Sequence, residues 1–306
     1  MSGRANFLLQ LLTPSIEFHR LKEAETRAAM LEKILIPTDL TPAGNSAFPI
    51  GVTLAQAFSS RLYLVHVMHP DALQEPERLE DFPRLSRFFA TDRNAPDLPP
   101  LKATVPVGKV YRHHRNPEQV ILDFAKRKEM DLICMAATQE NGKFKIPWWS
   151  LGGMTGRIIR QAPCSVLCLR GQPVKQQDWQ RPRFKHILLL AELGPRGAAP
   201  LLKALPWVHM FNSMLHIFPL IKDVADYLPS EIPLREVAQL NSTQTNVLLF
   251  ANPARQTQNL MAFLKQTQID LIILPARARA ELSTPLVSDI LARLLADTNS
   301  PVLVLR

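Results

Sequence analysis

The sequence predicts an α/β protein of two tandem doubly wound domains, each a five-stranded parallel sheet flanked by helices. Two observations carry this expectation. Apolar strand-like runs alternate with helical segments along nearly the whole chain, a pattern that sets parallel strands side by side with helices on both faces. The pattern then restarts. His186-Ile-Leu-Leu-Leu-Ala-Glu192-Leu-Gly-Pro195 lines up with Lys33-Ile-Leu-Ile-Pro-Thr-Asp39-Leu-Thr-Pro42, Asp270-Leu-Ile-Ile opposes Asp131-Leu-Ile-Cys, and Arg293 to Arg306 mirrors Arg157 to Arg170. Each half ends in Val-Leu-X-Leu-Arg, which reads as a tandem duplication.

The elements follow in order. Residues 1–31 form an N-terminal extension in which Leu21, Ala24, Ala28 and Leu31 recur at helical spacing. It reads as one or two amphipathic helices, folded back on the protein or docking a partner. Residues 32–170 make the first domain. Lys33 to Asp39 is an apolar strand that ends on a polar residue, Ser46 to Phe58 a helix kinked or delayed by Pro49, and Arg61 to Val67 a second strand. A proline- and charge-rich excursion spans 70–100, a short third strand is expected at Ala103 to Val107, and a helix at Pro117 to Lys128. The fourth strand, Asp131 to Ala136, leads into a long irregular loop, a glycine pair (Gly152, Gly153), a helix, and a fifth strand through Val166 to Leu169. Residues 171–183 have no apolar period and read as a linker. Residues 184–306 form the second domain.

The strand, glycine loop and helix in that order make a ready anion cradle. The first backbone N–H groups of a helix have no partner within it, and glycines leave a phosphate room to approach. The second half keeps the plan from Asp270 to Arg306 but has no glycine in that stretch; Pro275 and Arg277 to Arg279 stand in the loop instead.

Composition narrows the class. The chain has 306 residues, 46% hydrophobic and 21% charged, a globular balance with room for two domains. The longest apolar runs fall far short of the roughly 20 residues that span a bilayer. With no leader-like start in view, a cytoplasmic protein without a transmembrane segment is expected. Cys134, Cys164 and Cys168 sit in or beside strand-like runs; residues four apart on a strand lie about 13 Å apart, which rules out a Cys164–Cys168 disulfide. Buried free thiols are expected. The net charge of +9 accompanies no nucleic-acid motif, so it reads as solvated basic surface and no nucleic-acid partner is expected.

The first strand ILIPTD, the second strand ending His-Val, the helix before DLI, and the glycine pair ahead of helix and APCSVLCLR together resemble the universal stress protein family in a two-domain tandem form. The resemblance implies the strand order 3-2-1-4-5 in each domain and a nucleotide crevice at the carboxyl ends of strands one and four. That location agrees with the rule that ligands bind where strand order reverses. It implies a regulatory, stress-response protein binding an adenine nucleotide, ATP, in the first domain, with Mg accompanying the ATP and no other metal. Asp39 would meet adenine or ribose, Val67 would offer its backbone to the base, and Pro37, Thr38, Ala136, Gly142, Gly152, Gly153, Met154 and Thr155 complete the implied site. The family's glycine motif is partly eroded. Gly142 and Gly152 keep its spacing, but Gln139 occupies the first glycine position and Gly153 the terminal Ser or Thr position, with Thr155 able to supply a hydroxyl. The resemblance also implies antiparallel pairing of the last strands, Val166 to Leu169 with Val302 to Leu305, as an intramolecular pseudo-dimer, with further homodimerisation and the protein partner left open.

No nucleophile, base and orienting group come together in the sequence, so no enzyme is expected, a weak ATPase being the one activity left open. A reading from another class stays open beside the nucleotide one. In it the protein is an adaptor that binds no nucleotide and acts through its N-terminal helix and the aromatic loop holding Trp148 and Trp149.

Overall fold

A computed structural model of the chain describes residues 31–70, 81–84, 105–137, 153–171, 175, 180–192, 198–220, 245–247, 255–275 and 285–306. The expected N-terminal helices, the 70–100 excursion for the most part, Gly142, Gly152, Trp148, Trp149 and Arg277 to Arg279 lie outside these residues.

The first half runs β1 (Lys33–Pro37), α1 (Phe48–Ala57), β2 (Arg61–Met68), β3 (Val107–His113), α2 (Pro117–Arg127), β4 (Leu132–Ala137), α3 (Met154–Gln161) and β5 (Ser165–Arg170). The second runs β6 (His186–Glu192), α4 (Ala198–Phe211), β7 (Met214–Leu220), β8 (Thr245–Val247), α5 (Gln256–Gln266), β9 (Leu271–Pro275), α6 (Pro285–Asp297) and β10 (Val302–Leu305). All ten strands join one sheet in the order β3-β2-β1-β4-β5-β10-β9-β6-β7-β8. Every pairing is parallel except β5 with β10, which is antiparallel, with Val302 opposite Cys168 and Val304 opposite Val166.

Strands buried on both faces need apolar residues at every position, which is why β1, β4, β9 and β10 read as unbroken hydrophobic runs. Ile34, Ile36, Leu62, Leu189 and Leu303 face one core layer with α1 and α4. Leu35, Ile133, Val166, Leu188 and Val304 face the other, with α2, α3, α5 and α6. Both layers are continuous across the β5–β10 seam.

Two local devices recur in the halves. The Asp131 carboxylate accepts the N–H groups of Glu32 and Lys33, each at 2.9 Å, and the Asp270 carboxylate those of Lys185 and His186 at 2.7 and 2.9 Å. The Ser60 hydroxyl donates to the Leu31 carbonyl as the Ser213 hydroxyl does to that of Phe184. In each half the aspartate before the fourth strand and the serine before the second fasten the chain entering the first.

One expectation needs correction. The third strand is not Ala103 to Val107 but Val107–His113, paired along its length with Leu62 to Met68. It is a sheet edge, and an edge strand tolerates the charge that a central one excludes. Lys109, Arg112 and His113 are exposed on it, so the basic segment that reads as surface is also a strand. All three cysteines are free and buried. Burial is the main reason that the Cys164 and Cys168 thiols are pushed up to about 12, with the Asp131 carboxylate adding to the rise at Cys164.

Candidate functional site

Between β1 and β4 the strand order reverses, and the helices that follow them, α1 and α3, pack on opposite faces of the sheet. A crevice opens at the carboxyl ends of the strands there, as topology requires. The cavity measures about 130 Å3. Pro37, Thr38 and Asp39 from the end of β1, Val65 and Val67 from β2, and Met135 and Ala136 from β4 form its strand side. α2 adds Pro117 at its start and Ile121 one turn further on, and the start of α3 adds Met154.

Its entrance loop is organised by short polar side chains. Asp39 Oδ1 accepts both the backbone N–H (2.9 Å) and the hydroxyl (2.7 Å) of Thr41, and the Gly44 N–H donates to Thr41 Oγ1 at 3.0 Å. Thr38 Oγ1 donates to Asn45 Oδ1 at 2.6 Å and accepts the Leu40 N–H at 2.9 Å. Such Asx and Thr turns replace the hydrogen bonds the backbone gives up on leaving the strand. They also hold Leu40 at φ 65°, a left-handed conformation that costs a non-glycine residue roughly 1 kcal/mol or more. The Thr38 carbonyl takes a further bond from His66 Nδ1 at 2.8 Å; because a carbonyl can only accept, that ring nitrogen carries the proton.

Asp39 is exposed. Its Oδ1 is occupied by Thr41, while Oδ2 has no hydrogen bond among the described residues. One carboxylate oxygen therefore fixes the side chain and the other is open to a donor on a ligand. Gly44 makes this arrangement fit: a Cβ built on it would lie 1.9 Å from Asp39 Oδ1. Gly153 is different. It caps α3 at φ −66° and ψ 163°, a conformation open to any residue, and nothing lies within 4 Å of a Cβ built on it. The helix itself begins at Met154, a residue 37% exposed beside the crevice.

α3 is held against α2. Glu118, buried in the first turn of α2, accepts a hydrogen bond from the Arg157 guanidinium through Oε2 and one from Gln161 Nε2 at 3.4 Å through Oε1. The α2 end is itself fixed by Asn116, whose side chain accepts the Gln119 N–H at 3.2 Å with Pro117 in the first turn.

Of the residues singled out from the sequence, Pro37, Thr38, Asp39, Val67, Ala136 and Met154 meet around this one cavity. Gly153 and Thr155 lie at the start of α3 but are not among its lining residues. Gly142 and Gly152 lie outside the described residues. Sequence reasoning missed Thr41, Gly44, Pro117, Ile121 and Met135. The Asp-X-Thr-X-X-Gly spacing from Asp39 to Gly44 was the available sign, since it is the signature of a side-chain-closed turn.

Three further facts bear on chemistry. Among the described residues no group of three His, Cys, Asp or Glu side chains is arranged to hold a metal, and no helix is long and apolar enough to cross a membrane. A second polar cluster lies away from the crevice, at the foot of β6 and β7. There His186 Nδ1 stands 3.1 Å from His216 Nε2, and burial, with the His186 ring beside it, holds His216 below its ordinary value.

Comparison with known proteins places these features. The model of the universal stress protein family matches residues 30–170. A universal stress protein of Methanocaldococcus jannaschii is 26% identical over 151 residues, covering 48% of this chain and 86% of that protein. The crystal structure of a universal stress protein from Archaeoglobus fulgidus superimposes with a TM-score of 0.62 at 13% identity, covering 91% of this chain and 97% of the other. A functionally unknown protein from Pseudomonas aeruginosa PAO1 gives 0.60 at 16% identity, with 91% and 94% covered. At those identities the two structures speak to the fold. The crevice, its entrance loop and the Glu118–Arg157 pair all fall within residues 30–170, the segment that matches the universal stress protein family.

Proposed function

We propose that the first domain binds an adenine nucleotide, ATP or a close relative, in the β1–β4 crevice, and that the protein acts as a nucleotide-responsive regulator in a stress response. The observation that carries this reading is the convergence of Asp39, Thr38, Val67, Ala136 and Met154 on one cavity at the point where strand order reverses. At about 130 Å3 the cavity is smaller than the roughly 300–1,000 Å3 of sites that enclose a whole drug-sized ligand. It therefore suits a flat, base-sized group, with the rest of the ligand lying outward. The free Asp39 Oδ2 is placed to accept from an exocyclic amine or a ribose hydroxyl. In this reading the phosphates lie beside Met154 and the start of α3, eight residues long, where the partial positive charge of a helix N-terminus favours them. The role proposed is binding without turnover.

Residues 32–170 and 184–306, joined by 171–183, are read as two domains descended from one, the second a structural mate. The repeated aspartate and serine fastenings described above support that descent. In this reading the antiparallel β5–β10 seam makes the chain a fused pair that covers two sheet edges otherwise open to association.

Calorimetric titration of the full chain with ATP tests the proposal. Saturable binding is expected, weakened at least about tenfold by Asp39→Ala, the size expected for losing a hydrogen bond to a charged group. Phosphate release should stay at the background rate. No heat on titration, no nucleotide released on heating the purified protein, and no effect of Asp39→Ala would together overturn it and leave the adaptor reading.

A further inference from the structure

The backbone on both sides of Asp39 is held by the side chain of one buried residue. Asn45, 4% exposed, sits in the 3-10 turn Gly44–Ala47 that precedes α1. Its Oδ1 accepts the Thr38 hydroxyl at 2.6 Å, and its Nδ2 donates to the Leu40 carbonyl at 3.2 Å. A carbonyl only accepts, so the amide has one orientation here, nitrogen toward Leu40 and oxygen toward Thr38. The Asn45 backbone N–H adds a bond to the Thr41 carbonyl at 2.9 Å. Thr38 and Leu40 are the neighbours of Asp39 in the chain, and Thr41 is the residue that grips its Oδ1. Asn45 is thus tied to every residue that sets the carboxylate, while it is not itself among the residues lining the crevice.

A clamp is needed at this point because Leu40 stands at φ 65°, a conformation that a non-glycine residue holds only when its surroundings fix it. Freed from the amide, the Asp39–Leu40 backbone relaxes toward ordinary geometry and the open Asp39 Oδ2 turns with it. A recognition group has to be held to within about 0.5 Å of its productive position, so a displacement of this kind is felt in binding.

We propose that Asn45 is a positioning residue of the crevice. Without touching a ligand, it sets the direction in which Asp39 offers its open oxygen to a hydrogen-bond donor of the nucleotide. The binding half of this inference rests on the reading of the crevice as a nucleotide site; the half that concerns Asp39 is measurable with no ligand present.

Two measurements on the full chain keep the halves apart. Without ligand, amide NMR of threonine-labelled protein reads the Thr41 N–H that Asp39 accepts. Asp39→Ala should move that signal upfield and speed its hydrogen exchange. Asn45→Ala should produce the same change, and the double variant no further one. With ligand, calorimetric titration with ATP should show binding weakened about fivefold to tenfold by Asn45→Ala. The double variant should bind no more weakly than Asp39→Ala, because both substitutions act through one carboxylate. Asn45→Asp keeps the shape and the acceptor but, when ionised, cannot donate to the Leu40 carbonyl. It should behave as Asn45→Ala does, and replaces it if near-ultraviolet circular dichroism shows that alanine loosens the packing. Thr53→Ala removes another buried polar side chain, one bonded to the Pro49 carbonyl at 2.8 Å within α1, and should leave both readouts unchanged. A Thr41 signal unaltered in the Asn45 variants, unaltered ATP affinity in them, losses that multiply in the double variant, or an equal loss in Thr53→Ala would each overturn the proposal. No heat from the native protein would overturn the nucleotide reading and the binding half with it, while the Thr41 signal would still decide whether Asn45 holds Asp39.

Discussion

At the scale of single residues, the crevice depends on a carboxylate folded back on its own loop. Thr41 holds Asp39 Oδ1, and Gly44 leaves the space in which that oxygen sits. Gly44→Ala would put a methyl group 1.9 Å from Oδ1, so the carboxylate must swing away. The variant is expected to weaken nucleotide binding about as much as Asp39→Ala does, at a stability cost of roughly 1–3 kcal/mol for the overpacking; calorimetry and thermal denaturation read the two effects separately. Asp39 was legible in the sequence because it ends an apolar strand. Gly44 was not, because its constraint comes from where a neighbouring side chain folds, which no periodicity records. His216 shows the same limit. Its run, Met214 to Leu220, marks it as a core residue, but its His186 partner is revealed only by the β6–β7 register. Burial, and next the His186 ring, lowers the His216 value from 6.5, so the folded protein keeps this ring neutral while the unfolded chain protonates it first. Its contribution to stability is full above about pH 6.5 and is lost as pH falls below that value toward the lowered one. Replacing His216 with Phe should flatten the urea-unfolding midpoint between pH 7 and 5 relative to the native protein.

At the scale of elements, the helix ends carry the least legible part of the fold. Three helices stop in the same way without glycine. Ser59, Glu129 and Asn212 take φ values of 57°, 52° and 46°, and the N–H groups of Ser60, Met130 and Ser213 reach back to Ala55, Ala125 and Val208 at 2.7, 2.9 and 2.9 Å. This is the 6→1 bond of a Schellman ending, formed by residues that pay for a left-handed backbone. A reader of sequence looks for glycine at such points and finds Lys-Glu-Met after α2, so the end of that helix is marked instead by the aspartate that follows. Glu129→Gly removes the side chain that clashes in this conformation, and is expected to raise stability by about 1 kcal/mol, with helix content unchanged by circular dichroism. The start of α2 was legible for the opposite reason. Asn116 followed by Pro117 and Glu118 is a local signature whose hydrogen bond closes within three residues. The shift of β3 follows the same logic, because an edge strand is specified by its neighbour β2 and not by its own hydrophobicity.

At the scale of the whole molecule, the halves are joined by more than the β5–β10 pair. Phe58, just past the end of α1, lies against Trp207 and Phe211 of α4, with ring centroids 5.3 and 6.2 Å apart, and Phe211 lies 4.6 Å from Phe184. On the other side Arg306 donates through Nη2 to the carbonyls of Ile159 and Arg160 at 2.8 and 3.1 Å, capping α3 of the first half with the last residue of the second. A cation over the last carbonyls of a helix opposes its negative end, which gives Arg306, at the second of the two Val-Leu-X-Leu-Arg endings, a structural use that the sequence comparison could align but not explain. With both core layers continuous across the seam, the described halves should melt as one unit. Phe58→Ala tests this directly, because the ring belongs to the first half and its aromatic partners to the second. Losing a partly buried phenyl ring and its tilted contacts should cost roughly 2–4 kcal/mol. Thermal denaturation followed by circular dichroism should show a single transition displaced to lower temperature. Two transitions, with the later one unmoved, would mean that the second half is stable without the first and that the aromatic cluster does not couple them.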